Sequence, residues 1–178
     1  MPNVKMMSPN TRIDWYPLNA FSDPENPTAD ELNGGTNLSC AIAQGYTLNF
    51  TASDTDDSKT ICDEGNVQNR GFSNYEASLS FYLDGIGDNP TVFSTAFDLF
   101  SGNERVEGYL VSRQGFKASV PYAQGQHVSL YHVMSDMSRF VVGEGSAPEQ
   151  FEVPFLPQGF AIPNYELPAP VDSGDDDD

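Results

Sequence analysis

Residues 38–50 (LSCAIAQGYTLNF) and residues 75–84 (YEASLSFYLD) carry apolar side chains at nearly every second position. Side chains of a β-strand alternate between its two faces, so both stretches are predicted to be strands with one buried face. The positions between the apolar residues are polar or small. This pattern is typical of antiparallel sheets that expose one face to solvent.

The alternation assigns each side chain of these two strands to a face. The predicted buried face of the first strand carries Leu38, Cys40, Ile42, Tyr46, Leu48 and Phe50. The predicted buried face of the second strand carries Tyr75, Ala77, Leu79, Phe81 and Leu83. The wet face of the second strand carries Glu76, Ser78, Ser80, Tyr82 and Asp84.

The remaining elements are four more strands and one helix. The strands are predicted at residues 106–113, 127–134, 138–143 and 151–156. Because Pro154 cannot donate a ladder hydrogen bond, the last strand is expected at a sheet edge or to end there. The predicted fold is therefore mainly β, an antiparallel β-sandwich or open barrel with one flanking α-helix.

The helix is predicted at about residues 90–100. Its first turn would contain Pro90, with Asp88 or Asn89 as the cap, and Gly102 would end it. The apolar residues of this stretch recur at helical spacing and would face the sheet. They are Phe93, Ala96, Phe97 and Phe100.

Composition divides the 178 residues into three parts, with enough chain for one domain. Residues 1–36 form a proline-rich, extended N-terminal arm, residues 37–163 the β domain, and residues 164–178 a proline-rich, acidic C-terminal tail. The arm either packs on its own domain or on a neighbouring subunit, since it carries large apolar residues. These are Ile13, Trp15, Tyr16, Leu18 and Phe21.

A long acidic loop at residues 51–74 separates the first two strands. Loops of this length without secondary structure are uncommon and tend to be functional. We expect a partner to order it, with Ile61, Val67 and Phe72 as anchors. Its acidic residues are Asp54, Asp56, Asp57, Asp63 and Glu64.

Net charge excludes several classes of protein. The chain has 26 acidic and 8 basic residues, for a net charge of −18. A DNA-binding groove or a surface for anionic membranes needs clustered Lys and Arg, which this chain lacks. No apolar stretch is long enough for a transmembrane helix, and no signal peptide is visible. Cys40 and Cys62 are interpreted as free thiols, with one disulfide left open.

The chemistry of an active site is not apparent in the sequence. His127 and His132 would lie on opposite faces of one strand, and no nucleophile or phosphate-binding motif occurs. A calcium loop counted from Asp54 has Lys59 where an EF-hand needs Gly. No catalytic residue, cofactor or metal is predicted, and a calcium- or sugar-binding domain is left as one alternative.

Five segments resemble the major tail proteins of long-tailed bacteriophages, especially those that infect actinobacteria. The resemblance spans about residues 30–163. The segments are ADELNGGTNLSCAIAQGYTLNF (29–50), SDTDDSKTICDEGNVQNRGFSNYEASLSFYLD (53–84), TVFSTAFDLF (91–100), VEGYLVSRQG (106–115) and FEVPFLPQGFA (151–161).

The resemblance implies a non-enzymatic structural protein of the virion tail, made in the host bacterial cytoplasm. Six copies would form a ring, and rings would stack into a tube through which DNA leaves the capsid. The implied partners are the chain itself and the tape-measure, tail terminator and distal tail proteins. Other virion or surface modules, such as a head decoration protein, a tail terminator or an adhesin domain, are the alternatives.

The resemblance also implies three sets of contact residues. The loop would contact the adjacent ring through Asp54, Asp56, Asp57, Ile61, Asp63, Glu64 and Phe72. The arm would contact a neighbouring subunit through Ile13, Trp15, Tyr16 and Phe21. The channel would be lined by Glu76, Ser78, Ser80 and Asp84, because carboxylates repel a polyanion and let DNA pass without binding it. The alternative is that this face meets solvent and the charge serves solubility.

Overall fold

The structure is a computed structural model, and it describes residues 10–56, 69–83, 91–102, 104–142, 145 and 147–169. These residues form two helices, α1 (Ala29–Asn33) and α2 (Val92–Phe100). They also form ten strands, β1 (Thr11–Pro17), β2 (Thr36–Asn37), β3 (Thr47–Thr51), β4 (Thr55–Asp56), β5 (Asn69–Arg70), β6 (Asn74–Tyr82), β7 (Glu107–Gln114), β8 (His127–Ser135), β9 (Arg139–Val141) and β10 (Gln150–Glu166).

Eight strands form one antiparallel sheet in the order β2-β1-β7-β8-β10-β6-β3, with β9 paired to β10. The sheet is open, and β4 and β5 form a separate two-stranded ribbon. The predicted class, a mainly β antiparallel fold with a flanking helix, is confirmed. The short helix α1 is an addition that the sequence interpretation missed.

The sheet curls around an aromatic core. Trp15 on β1 and Phe155 on β10 are not on neighbouring strands, yet their ring centroids lie 6.2 Å apart. Helix α2 covers this concave face, and Phe100 lies 5.1 Å from Trp15 and 5.3 Å from Phe155. The predicted helical stripe is confirmed, with Ala96 and Phe100 buried and Phe93 and Phe97 packed against the core.

A second core lies on the other face of β1, β7 and β8, beneath α1. Its buried residues are Tyr16, Phe21, Leu32, Tyr109, Val111, Tyr122, Val128, Leu130 and Leu167. Half of the sheet is therefore covered on both faces. The other half, β3, β6, β9 and the first part of β10, is covered on the concave face only.

The predicted long strand at residues 38–50 is wrong for its first half. Only Thr47–Thr51 form a strand, and the segment before it crosses from β1 to β6. The Leu38 N–H donates to Ile13 O at 2.9 Å, and the Ala43 N–H donates to Ser80 O at 2.7 Å. The crossing requires turns, so burial does not alternate here. Leu38 and Ala41 are buried, and Cys40, which the alternation placed on the buried face, is exposed.

The predicted N-terminal arm is integrated into the sheet where it is described. Residues 11–17 form β1, which pairs with β7 along its length. Pro9 precedes this segment in the sequence and Pro17 is its last residue, so no proline interrupts the strand. An extended arm over all of residues 1–36 is therefore wrong, because the alternating segment between the prolines buries one side chain after another.

The strand β10 is neither short nor at an edge, contrary to the expectation from Pro154. It runs from Gln150 to Glu166 and lies between β8 and β6. The Asp136 N–H donates to Pro154 O at 2.8 Å, so the carbonyl of Pro154 points toward residues 136–138, between β8 and β9. The N–H and C=O of one residue in an antiparallel strand point to the same side. The missing N–H of Pro154 thus faces an interruption in the neighbouring strand and costs no ladder hydrogen bond.

Helix α2 begins later than predicted, because Thr91 is its cap. The Thr91 side chain accepts from the N–H groups of Phe93 and Ser94, and Ser101 ends the helix one residue before Gly102. The predicted cap residues Asp88 and Asn89 and the predicted Pro90 lie outside the described residues. A hydroxyl directly before the apolar stripe is the preferred cap.

Helix α1 depends on hydrogen bonds to Glu31. Its Oε1 accepts from the Ser22 N–H at 2.9 Å and hydroxyl at 2.6 Å, and its Oε2 accepts from the Thr28 N–H at 3.0 Å and hydroxyl at 2.9 Å. Burial raises the pKa of Glu31, but the hydrogen bonds from Ser22 and Thr28 outweigh it and lower the pKa to about 2.

We expect Glu31→Gln to lower the free energy of unfolding by about 1 kcal/mol at pH 7, the typical value of a helix cap. Because the folded pKa lies below the usual 4.5, this stabilisation is present above pH 4.5 and is lost as pH falls toward 2. Urea unfolding of both proteins at pH 7 and pH 3 measures it, with the exposed Asp30→Asn as control. An equal loss at both pH values would contradict the prediction.

Candidate functional site

Four consecutive strands, β3, β6, β10 and β9, present a polar face to solvent. Tyr75, Ala77, Leu79 and Phe81 of β6 are buried on the concave side, so the residues between them point the other way. Paired residues of neighbouring strands share a face, which places polar side chains of all four strands together. They are Thr47, Asn49, Thr51, Glu76, Ser78, Ser80, Glu152 and Arg139.

Three of the four predicted lining residues lie together on this polar face. Glu76 is exposed, and Ser78 and Ser80 are half-buried. The fourth, Asp84, lies outside the described residues. The alternation of residues 75–82 is confirmed as a strand with one buried and one wet face.

The polar face holds its charges in different ways. Arg139 donates to Glu152 Oε2 through Nε at 3.0 Å and Nη2 at 2.8 Å, and the Ser78 hydroxyl donates to Glu152 Oε1 at 2.8 Å. These hydrogen bonds, first from Arg139 and then from Ser78, lower the pKa of Glu152. Glu152 thus neutralises the guanidinium of Arg139. Glu76 forms no ion pair with the described residues, so its carboxylate leaves a net negative charge on this face.

Both edges of this four-stranded part are open among the described residues. Strand β3 pairs only with β6, and β9 pairs only with β10. Open edges present unpaired N–H and C=O groups that can pair with another chain. Strand β9 is also apolar at its surface, since Phe140 is 70% exposed and Val142, directly after it, is 88% exposed.

The base of the predicted contact loop is a β ribbon. Thr55 pairs with Arg70 and Asp56 with Asn69, and Asp54 Oδ1 accepts from Asn74 Nδ2 at 2.9 Å. Phe72 is 83% exposed beside this ribbon. Asp56 belongs to β4, and the side chains of Asp57, Ile61, Asp63 and Glu64 lie outside the described residues. The loop is thus partly ordered by its own strand pairing.

The four predicted arm contacts are buried in the chain's own cores. Ile13 and Trp15 belong to the concave core, and Tyr16 and Phe21 belong to the second core, all at most 6% exposed. Of the two alternatives for the arm, packing on its own domain is what the structure has. These side chains are not available to a neighbouring subunit, because each is buried in one of the two cores on the opposite faces of the sheet.

A buried charged cluster was missed by sequence reasoning. Arg12 Nη2 lies 2.8 Å from Asp14 Oδ2, and Arg12 Nη1 donates to Val120 O at 3.0 Å. Arg113 donates to Pro121 O at 3.0 Å, to Lys117 O at 2.9 Å and to Gln126 Oε1 at 2.9 Å.

This cluster is structural, since three of its hydrogen bonds end on the carbonyls of Lys117, Val120 and Pro121 and hold that connection against the sheet. Burial lowers the pKa of Arg113, whereas Asp14 raises the pKa of Arg12 against the effect of burial. The sequence contained one sign of this cluster: Arg12 and Asp14 alternate with the apolar residues Ile13 and Trp15, which predicts that both charged side chains lie on the same face of one strand.

The histidines and cysteines show no catalytic arrangement in the described part of the chain. His132 Nε2 lies 3.0 Å from Glu107 Oε1, His127 is exposed five residues away, and Cys40 is exposed. Within the described ranges, no three potential metal ligands are grouped together. None of the described helices has the length and apolar character needed to cross a membrane.

Comparisons with known proteins agree with this geometry. The sequence profile of a family described as phage tail tube protein matches residues 1–170. No curated protein matches the chain at a significant level. Among solved structures, the anti-feeding prophage (AFP) baseplate, determined by cryo-EM with 6-fold symmetrisation, has a similar fold, with a TM-score of 0.51 and 10% identity over 92% of this chain and 97% of that chain.

The resemblance to tail proteins is therefore confirmed, and the actinobacterial host stays a prediction. A family match over nearly the whole chain places the protein in the virion tail as a structural component. The chain belongs to the phage tail tube protein family.

Proposed function

We propose that copies of this chain join edge to edge into a closed ring, and that rings stack into a tube through which DNA passes without binding. The observation that carries the proposal is the four-stranded polar face with an open edge on each side. In this assembly the side of one copy that ends in β9 meets the side of the next copy that carries β3 and the crossing segment before it. The polar face then becomes the channel wall, and the protein has no enzymatic activity.

The strand directions support edge-to-edge joining. Each neighbouring pair among β3, β6, β10 and β9 is antiparallel, so β3 and β9 run in opposite directions. Rotation about a ring axis keeps the direction of every strand. An even number of alternating strands therefore meets the next copy as another antiparallel pair, and the sheet continues without a mismatch.

The size of such a ring suits a DNA channel. Six copies with four strands each, at a strand spacing of about 4.8 Å, give a backbone diameter of about 37 Å. This diameter leaves room for side chains and a DNA duplex. The 6-fold symmetrised baseplate with the same fold supports the choice of six.

Electron microscopy of the purified chain tests the ring. We expect rings or short tubes with a central hole, and size-exclusion chromatography should show polymers that grow with concentration. Stable monomers at every concentration would contradict the proposal and favour a monomeric virion module such as a decoration protein.

Reversing the exposed charge of the channel wall should slow DNA passage. Glu76→Lys replaces a repelling carboxylate with a phosphate-binding ammonium in every copy, so we expect ejection to slow by at least about tenfold. Phage carrying the variant are assayed for the rate of DNA release. Glu25→Lys, exposed near α1, makes the same change in net charge and should leave the rate unchanged. Intact tubes with normal release would contradict the channel-wall assignment.

Stacking of rings is proposed to use the loop at residues 51–74, with Phe72 as its described apolar contact. Phe72→Ala removes an 83% exposed ring, so it should leave stability unchanged and allow single rings while shortening the tubes. Micrographs of the variant decide this, because tubes of normal length would rule out Phe72 as a stacking contact. The tape-measure, tail terminator and distal tail proteins are proposed as partners at the ends and in the channel.

A further inference from the structure

One lateral row of side chains crosses β9, β10 and β6 and ends in the crossing segment before β3. Phe140 on β9 is paired with Phe151 on β10, Phe151 with Phe81 on β6, and Phe81 with Ile42 in the crossing segment. Paired residues lie at one level of a sheet and on one face. The row therefore begins at one open side of the molecule with Phe140 and ends at the other with Ile42.

The two ends of this row differ in shape. Phe140 projects from the concave side, with its ring 6.4 Å from that of Phe97, and is 70% exposed. Ile42 instead borders an open hollow of about 210 Å³ between β1 and the turn before β3. The hollow is lined by Thr11, Ile13, Ser39, Ile42, Ala43, Gln44 and Tyr46.

The chemistry of the hollow suits a phenyl ring. An apolar cavity of about 150 Å³ takes up benzene, and this hollow is larger. Ile13, Ile42 and Ala43 supply apolar carbon, and the Tyr46 ring adds an aromatic surface. None of its lining residues is charged, so a phenyl group that enters displaces no ion pair.

We propose that Phe140 of one copy inserts into the hollow beside Ile42 of the next copy. The inference rests on the proposed ring and names the apolar contact that closes it. When two copies join at the same level, the row from Phe140 to Ile42 continues across the boundary, and Phe140 meets the hollow of its neighbour. The contact is head-to-tail, since projection and hollow lie on different sides of the same chain.

Two variants separate the two halves of this contact. Phe140→Ala removes the projection, and Gln44→Trp covers the hollow with an indole at an exposed position. Each variant alone should stay monomeric, with the concentration needed for assembly raised about 30-fold or more, as for an anchor residue at an interface. An equimolar mixture should form a heterodimer and no ring, because only one productive contact exists between the two variants.

Light scattering after size exclusion measures the species, and thermal unfolding confirms that both variants are folded. Leu18→Ala removes another exposed apolar side chain, 45% exposed, and should assemble as wild type does. Thr11→Trp covers the same hollow from β1 and replaces Gln44→Trp if that variant does not fold. If wild type forms rings and Phe140→Ala forms them equally well, this inference is overturned and the ring proposal stands. The same holds if wild type forms rings and the equimolar mixture of the two variants stays monomeric. Monomeric wild type overturns the ring itself and the inference with it.

Discussion

Phe100→Ala is expected to lower the free energy of unfolding by about 3–5 kcal/mol, the range for deleting a buried aromatic ring. Phe100 is 2% exposed, and its ring contacts Trp15, Phe81 and Phe155 at centroid distances of 5.1–5.8 Å. These three residues lie on different strands of the curled sheet. The deletion therefore leaves a cavity where the helix joins the sheet, and rigid neighbours cannot collapse into it.

Urea unfolding followed by circular dichroism measures this effect. Asp98→Ala on the exposed side of α2 serves as control, because it changes the helix without touching the core. The expected loss is a large part of the 5–15 kcal/mol that stabilises a typical domain, so the variant should be partly unfolded near physiological temperature. If Phe100→Ala unfolds at the same urea concentration as the control, helix α2 does not hold the two sides of the sheet together.

Asp14→Asn should cost about 3–5 kcal/mol, because it removes the carboxylate from a buried ion pair and leaves the guanidinium uncompensated. Asp14 is fully buried and lies between Arg12 and the Tyr16 hydroxyl, which is 3.3 Å from its Oδ2. Arg113 adds a second buried guanidinium in the same cluster. The substitution changes the charge and almost none of the volume, so the loss reports on electrostatics.

An exposed ion pair in the same protein provides the matched control. Arg139 and Glu152 are also 2.8 Å apart, but the Arg139 side chain is 68% exposed, whereas that of Arg12 is 9% exposed. Water screens the exposed pair, and Arg139→Gln should cost about 0–1 kcal/mol. Denaturation of both variants at pH 7 gives the comparison. Equal losses would show that burial does not decide the strength of the pair at Asp14.

The reliability of sequence patterns differed between the two alternating stretches. Residues 75–82 form a strand with one buried face, as the period of two predicts, because neighbours pair with both of its edges. Residues 38–46 alternate equally well but have to cross from β1 to β6. The hydrogen bonds of that crossing, to Ile13 on one side and Ser80 on the other, force turns that no local pattern contains.

The proposed assembly surface was predictable in part. The wet face with Glu76, Ser78 and Ser80 was assigned from the alternation alone, since a face is a local property of a strand. Which strands lie beside it was not predictable, because pairing joins residues far apart in the chain, such as Ser80 and Glu152. The apolar edge at Phe140 was hidden for the same reason.

The sequence by itself determined the β class, the amphipathic helix, the acidic surface and the tail protein family, since these depend on periodicity, composition and motif. Tertiary structure alone decided that the proline-flanked segment at Thr11–Pro17 enters the sheet and that β3 and β9 are left with open edges. The reason is physical: a strand acquires its neighbours, its burial and its free edge only when distant parts of the chain pair with it.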